Sequence, residues 1–332
     1  MCLSYGLFLC LGLTILLTFL DYGLTYDEET GRFYGYSVLR WYSTFFKDKG
    51  ALNYSNLYLY GGFFEAIAQA TANITQRVFP LGVYEIRHLI NALFGYFTII
   101  CAYKLGSHLS GHSGGFFSAL FLTLTPGFYG HIFNNSKDVP FAALFSFSLY
   151  YMLLSYGSLP KLSKGLITKL SIAIGLTLGV RVGAVILFGY LLILWSCWLA
   201  TQHLINRWRG QRLISAAWKL ATSFIIILFL AWALMLIWWP WAQVSPLMHP
   251  YTAIKATKNF DWPLMVFFEG RFIVGTGLPW TYLPTWLAIS LPEFYFMAFP
   301  VGCFLAYKSF PSFKKEAVHN EQLIKIGLLV FG

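Results

Sequence analysis

"LATSFIIILFLAWALMLIWWP", residues 220–240, contains no charged side chain. As a helix rising 1.5 Å per residue it covers the ~30 Å hydrocarbon core of a bilayer. Backbone in lipid has no water to bond to, so such a segment must satisfy itself as a helix. Similar runs recur at roughly 3–20, 88–106, 114–132, 139–156, 166–180, 182–201 and 281–307. A last apolar tail, from Leu323 to Gly332, is about half the length of a span. The chain is therefore expected to stop inside a ninth helix. The fold class read from this pattern is an all-α polytopic membrane protein of about eight to nine spans, a single transmembrane domain over residues 1–332.

Composition agrees. The 332 residues are 58% hydrophobic and 20% aromatic, and 11% are charged. Soluble domains carry about a quarter charged residues. Mean hydropathy is +0.62. The run at 3–20 lacks a basic leader and a small-x-small cleavage site before Asp21, so it reads as an uncleaved first span. Five cysteines, Cys2, Cys10, Cys101, Cys197 and Cys303, lie in or beside apolar runs without metal spacing and read as small hydrophobes.

The net charge of +10 is a topology signal. With the amino terminus cytoplasmic and sides alternating, the inner loops hold Lys104; Lys161, Lys164 and Lys169; Arg207, Arg209, Arg212 and Lys219; and Lys308, Lys314, Lys315 and Lys325. Only Glu316 and Glu321 oppose them there. Twelve of the 23 basic and two of the 13 acidic residues are thus inside, which leaves eleven of each elsewhere. Short inner loops rich in Lys and Arg set orientation, so the charge calls for no nucleic-acid partner. Residues 21–87, 126–138 and 241–280 become outer loops. The first carries "YSVLRWYSTFF" and "GGFFEAIAQATANI". Val38, Leu39, Trp41, Tyr42 and Phe45 fall on one helical face, as do Phe63, Phe64, Ile67 and Ile74. Both stretches read as amphipathic helices on the membrane surface. Asn53, Asn73 and Asn134 begin N-x-Ser/Thr triplets on the same outer side, a pattern too short to weigh heavily.

Against this apolar background a few charged positions stand out. "TYDEETGRFYGY", residues 25–36, places Asp27, Glu28 and Glu29 where the chain leaves the first span. A carboxylate there can act as a general base or help hold a metal. It can equally form the acidic first turn of a helix. Lys137 and Asp138 precede Pro140 at the second outer loop, where Asp138 can cap the next helix or face the cavity that Asp27 faces. Arg181 stands between two apolar runs, amid Gly175, Gly179 and Gly183. A cation at that depth is a candidate holder of a phosphate, or marks a tight turn and snorkels. Glu269 and Arg271 lie in an aromatic stretch before the last long run, with Glu293 some way beyond, next to Pro292. No Walker loop, no GxGxxG after a strand, no HExxH and no Cys/His cluster is present, which argues against ATP-driven and Rossmann enzymes.

The order of these segments resembles a known family. A first span, "DEETGRFYG", a long outer loop, "YEIRHLINALFGYF", "LTPGFYGHIFNNSKDVPFAALF" and "LPWTYLPTWLAI" follow one another as in the GT-C glycosyltransferases. Within them the chain looks most like the protein O-mannosyltransferase and lipid A aminoarabinose transferase group. The resemblance covers most of residues 1–300 and implies a GT-C-like bundle. It implies an inverting, multi-pass glycosyltransferase that uses a polyprenyl-phosphate sugar as donor. The acceptor would be a lipid, glycan or protein on the outer or lumenal face. It also implies site roles: Asp27 as base with Glu28 beside it, and Arg181, Arg87 and Lys137 at the donor phosphate. Asp138, Glu269 and Arg271 are further site candidates. No cofactor is required, and a divalent metal is left open. Where the mannosyltransferases carry a His-Pro-Pro segment this chain reads "LYLYGGFFEAI", so the resemblance does not by itself specify mannose as the sugar or a protein as the acceptor. Members of the family also usually continue through further spans. Two other readings are a transporter or flippase for a lipid-linked sugar, for which inverted repeats are expected and none is seen, and a non-catalytic scaffold.

Overall fold

The structure is a computed structural model that describes residues 2–258 and 264–313. Helices α1 (Cys2–Thr18), α2 (Tyr26–Ser43) and α3 (Phe63–Thr75) precede the long α4 (Val83–Thr123). Then come α5 (Pro126–Asn134), α6 (Asp138–Tyr156), α7 (Lys164–Leu178), α8 (Ile186–Leu204) and α9 (Gly210–Trp238). The short α10 (Pro240–Val244) and α11 (Met248–Lys258) lead to strands β1 (Met265–Phe268) and β2 (Arg271–Val274). Finally come α12 (Tyr282–Ser290) and α13 (Glu293–Phe313).

Among the described residues four helical segments are long and apolar enough to cross a membrane: Val83–Thr123, Asp138–Tyr156, Val182–Leu204 and Gly210–Trp238. A fifth arises if α12 and α13, bent by 102° at their junction, count as one. The chain is an integral membrane protein on that basis. The other expected runs are shorter or broken, for local reasons. Helix α1 has 17 residues and α7 has 15. The run at 114–132 breaks at Leu124 and Thr125 because Pro126 opens a new helix. The run at 281–307 breaks before Glu293, where Pro292 stands. Within α4 the backbone leaves the helical region at Ser110 and Gly111, the latter with φ of 70°. The chain folds back there. A Cβ on Gly106 would lie 2.7 Å from the Gly114 carbonyl oxygen. The ninth helix expected from Leu323 lies outside the described residues.

Among the described residues the two largest apolar clusters lie in different parts of the bundle. Leu11 and Ile15 of α1 pack with Ala92 and Ile99 of α4 and Ile132 of α5. Leu170 and Ile174 of α7 pack with Leu187 and Leu191 of α8 and Ile227 and Met235 of α9. Gly175 permits the close approach of α7 to α9, since a Cβ there would meet the Ala231 carbonyl oxygen at 2.8 Å.

The first long connection departs from a pair of surface helices. Helix α3 buries Phe63, Phe64, Glu65, Ala66, Ala68, Gln69 and Ala72 and packs between α2 and α4. Gly62 N–H donates to the Trp238 carbonyl at 2.8 Å and Phe63 N–H to the Gly179 carbonyl at 3.0 Å. The 57–63 segment is thereby joined to the carboxy-terminal ends of α7 and α9. Phe45, expected on the apolar face of α2, lies past its end and is exposed.

Residues 264–274 depart from the all-helical expectation. "MVFFEGRFIV" forms an antiparallel hairpin in which Met265 faces Val274 and Phe268 faces Arg271. Glu269 and Gly270 form its two-residue turn with φ of 48° and 76°, the positive values that two-residue hairpins favour.

Gly61 is the tightest backbone contact in this arrangement. A Cβ there would fall 2.0 Å from the Gly179 carbonyl oxygen. Gly61→Ala is expected to force the segment off α7 and cost about 1–3 kcal/mol or more. Gly189→Ala, in open space on α8, is the matched control and should gain a few tenths from helix propensity, up to ~1 kcal/mol. Thermal unfolding in detergent measures both; equal midpoints would refute the contact.

Candidate functional site

Three distant parts of the chain meet at one end of the bundle. Thr25 Oγ1 donates to the Asn134 carbonyl at 3.4 Å, the Lys137 Nζ stands 3.5 Å from Asp27 Oδ2, and Arg181 Nη2 stands 2.7 Å from Asp138 Oδ1. Between them opens a cavity of about 1070 Å³. Asp27, Lys137, Asp138 and Arg181 all line it, with Tyr26, Tyr60, His131, Asn135 and Ser136 among the others.

The local structure explains why these side chains point into the cavity. Asp27 sits in the first turn of α2, where it could have served as the cap. That task falls to its neighbours: Glu28 accepts from the Thr25 N–H at 2.6 Å and completes a capping box. Asp27 is left 66% exposed on the cavity wall. The same division occurs at α6. Asn135 Oδ1 accepts from the Asp138 N–H at 2.9 Å, so Asn135 caps the helix. The Asp138 carboxylate accepts from Asn135 Nδ2 at 3.1 Å through Oδ2 and presents Oδ1 to Arg181. Arg181 itself lies just past α7, its guanidinium 5.7 Å from the centre of the Tyr60 ring and in reach of a cation–π contact. It is half-buried at the helix end, not embedded at mid-span.

Two of the sequence-derived site residues turn inward instead. Glu28 is 2% exposed and its Oε1 stands 2.7 Å from His88 Nε2 on α4. Burial alone would raise its carboxyl. The His88 and Thr25 hydrogen bonds and the His88 charge outweigh that and hold it below the usual glutamate range. Arg87, one residue earlier on α4, is also 2% exposed and is paired with Glu65 of α3. It does not line the cavity. Glu65 accepts a second bond, from Ser136 Oγ at 2.8 Å. Glu269 and Arg271 flank the hairpin turn, exposed and apart from the cavity; of that region only Leu264 lines it. Glu293 opens α13 at its bend and is exposed.

Glu65, His88 and Ser136 were not singled out from the sequence. Each carries a polar group on an otherwise apolar helix or a loop, but only tertiary proximity reveals the partner. Among the described residues no group of three or more His, Cys, Asp or Glu side chains comes together to hold a metal ion. The two cavity carboxylates each face a cation instead. The chain matches no family model, no curated protein and no solved structure.

The two layers differ in what they contribute to stability. The Asp138–Arg181 pair is partly exposed, and pairs of that kind are worth about 0–1 kcal/mol. Asp138→Asn is therefore expected to leave the thermal midpoint nearly unchanged. Glu28→Ala strands the buried His88 without its partner, at about 1–3 kcal/mol, and opens the Thr25 capping box at the cavity edge. The sign with pH follows. The folded value of Glu28 is lowered, so its stabilisation is present above the unfolded value of about 4.3. It is lost as pH falls through the lowered folded value. Wild type should thus lose stability on acidification below about pH 4.3, and Glu28→Ala should lose less over the same interval. Identical acid sensitivity of the two proteins would rule out this assignment.

Proposed function

We propose that the protein transfers a sugar from a polyprenyl-phosphate donor to an acceptor held in the cavity. The observation that carries this reading is the convergence of Asp27, Lys137, Asp138 and Arg181, from three separate segments, on one 1070 Å³ cavity at the end of an apolar bundle. A lipid-borne donor places its phosphate at the membrane boundary and its sugar in water, and the reaction needs a base on one side and cations on the other. In this reading Asp27 takes the proton of the acceptor hydroxyl. The hydroxyl oxygen bonds to the anomeric carbon, and the bond from that carbon to the phosphate oxygen breaks. The electron pair leaves with the phosphate, whose charge Arg181 and Lys137 meet. A single displacement of this kind inverts the anomeric centre. The acceptor class, lipid, glycan or protein, stays open in this reading, as does the sugar.

The GT-C-like architecture belongs to the same proposal. In this proposal α1, the two arms of α4 with α5 completing the second, α6, α7, α8, α9 and the bent α12–α13 pair all serve as crossings, beyond the four or five segments that pass on length and apolarity alone. The charge distribution supports a cytoplasmic amino terminus with the cavity on the outer or lumenal face. Cysteines placed at Ser55 and Ser215 test this with an impermeant thiol reagent in intact cells. Label at the first and not the second is expected; the reverse would overturn the orientation.

The chemistry is tested by reconstitution with labelled polyprenyl-phosphate sugars. Transfer supports the proposal. Translocation without transfer supports a flippase, and neither supports a scaffold. Asp27→Asn keeps size and hydrogen bonding but cannot take the proton, so transfer should fall by ~10²–10⁴-fold with donor binding intact. Arg181→Ala should weaken donor binding, and Arg181→Lys should restore only part of it because an ammonium lacks the forked donors. Full activity in Asp27→Asn would remove the base from the mechanism.

A further inference from the structure

We propose that Glu65 is the positioning residue of the cavity: one buried carboxylate sets where both the base-bearing helix and the cation-bearing loop stand. The part of this that concerns catalysis rests on the transferase reading; the geometric part does not.

Glu65 is 6% exposed, in the first turn of α3. Its Oε2 is paired with the Arg87 guanidinium of α4, and its Oε1 accepts from Ser136 Oγ at 2.8 Å. Its remaining side is covered by α2. A Cβ on Gly31 would lie 2.6 Å from Glu65 Oε1, and a Cβ on Gly35 would lie 2.3 Å from the Glu65 carbonyl oxygen. Glycine at those two positions, one helical turn apart, lets α2 rest directly on this residue. Asp27 lies one further turn back on α2, exposed beside Glu28, which is on the buried face with Gly31 and Gly35. Ser136 immediately precedes Lys137 and Asp138. The carboxylate of Asp27 and the ammonium of Lys137 are therefore both referenced to one fixed point, and they meet 3.5 Å apart.

Two features suit positioning better than stability. The Arg87 Nε and Nη1 atoms are buried without a hydrogen-bond partner. A buried ion pair with unsatisfied donors stabilises less than apolar packing of the same volume would, and its use is to specify geometry. A small void of about 20 Å³, lined by Glu65, Ser136, Lys137, Tyr34 and Tyr60, lies beside Glu65. It has room for one water and shares Ser136, Lys137 and Tyr60 with the main cavity. The Glu65 carboxylate is thus separated from the site by no more than a water-sized gap.

The test uses the full chain in lipid vesicles. Nitroxides are attached at Phe33→Cys on α2 and at Gly130→Cys, an open position on α5 just before the loop, with the five native cysteines replaced, and their separation is read by pulsed electron resonance. A single narrow distance is expected with Glu65 and Ser136 intact. Ser136→Ala, which removes only the tie to the loop, should broaden it, and Ser136→Thr, which keeps the hydroxyl, should restore it. Glu65→Leu with Arg87→Met, which removes both charges together, should broaden it too, and Ser136→Ala should add nothing in that background. An unchanged narrow distance in Ser136→Ala and in the double variant would overturn the proposal. Sugar transfer is measured on the same samples without labels. A loosened loop displaces Lys137 from the donor phosphate and from Asp27, so Ser136→Ala should lower kcat by up to about 100-fold and raise KM for the donor, and Ser136→Thr should restore both. If wild type transfers no sugar but the distances respond as stated, the transferase reading fails and the positioning role of Glu65 stands. If wild type transfers sugar and kcat is indifferent to Ser136→Ala, the catalytic part fails alone.

Discussion

The amides of Gly62 and Phe63 close the carboxy-terminal ends of two helices that belong to a separate part of the bundle, donating to the carbonyls of Trp238 and Gly179. Helix ends leave carbonyls without intrahelical partners, and in apolar surroundings an unpaired backbone group costs several kcal/mol. The first long connection supplies those partners. Trp239 Nε1 returns a bond to the Tyr58 carbonyl at 2.7 Å, which fixes the same segment from the other side. This is possible only because Gly61 has no side chain where Gly179 passes. The consequences run outward from there. Tyr60 is brought under Arg181, and Arg181, two residues beyond Gly179, is held at the cavity wall. Phe63 and Phe64 anchor α3, and α3 carries Glu65 to Arg87.

Charge in this structure is sorted by depth. Glu28 with His88 and Glu65 with Arg87 are sealed among α2, α3 and α4. Asp27 with Lys137 and Asp138 with Arg181 face the cavity. Neighbouring residues are divided between the layers: Asp27 outward and Glu28 inward, Lys137 outward and Ser136 inward. A helix turns by about 100° per residue, so consecutive side chains cannot share a face. One buried member fixes the direction of the exposed one next to it. The inner layer thus acts as the frame in which the outer layer is displayed.

How much of this was legible depended on whether a signal was local. Apolar runs and the cationic connections between them are local, and they placed most helices; the breaks at Pro126 and Pro292 are as local, but hydropathy runs straight through them. Gly175 and Gly179 stood out by spacing, and each does sit at a close contact, though with different partners: α9 for one and the 61–63 segment for the other. Gly183, at the same spacing, faces open space. The burial of α3 was not legible, because "FFEAIAQATANI" has the same period whether its apolar face meets lipid or protein. Arg87 could not be separated from the cavity cations, since its partner Glu65 lies 22 residues away and only the fold brings the two together. The hairpin at 265–274 carries a readable turn in Glu269–Gly270, but its Phe and Trp surroundings match an interfacial belt equally well. Asp27 and Glu28 are chemically alike and adjacent; what distinguishes them is a histidine 60 residues on.

The pairing in the cavity bears on how an anion would enter it. Two carboxylates face two cations, so a phosphate meets a neutral wall and gains only by taking a cation from its present partner. Breaking a partly exposed pair costs little, about 0–1 kcal/mol. A phosphate that accepts the forked donors of a guanidinium forms a stronger, bidentate contact. Exchange at Arg181 is therefore downhill for such a ligand, and it releases Asp138, which is already 63% exposed and can be solvated. The same exchange at Arg87 would strand Glu65 in the interior, at the several kcal/mol that a buried unpaired charge costs. Anion exchange would thus be confined to the outer layer, and the buried Glu65–Arg87 and Glu28–His88 pairs would be left undisturbed while a ligand changed its partners.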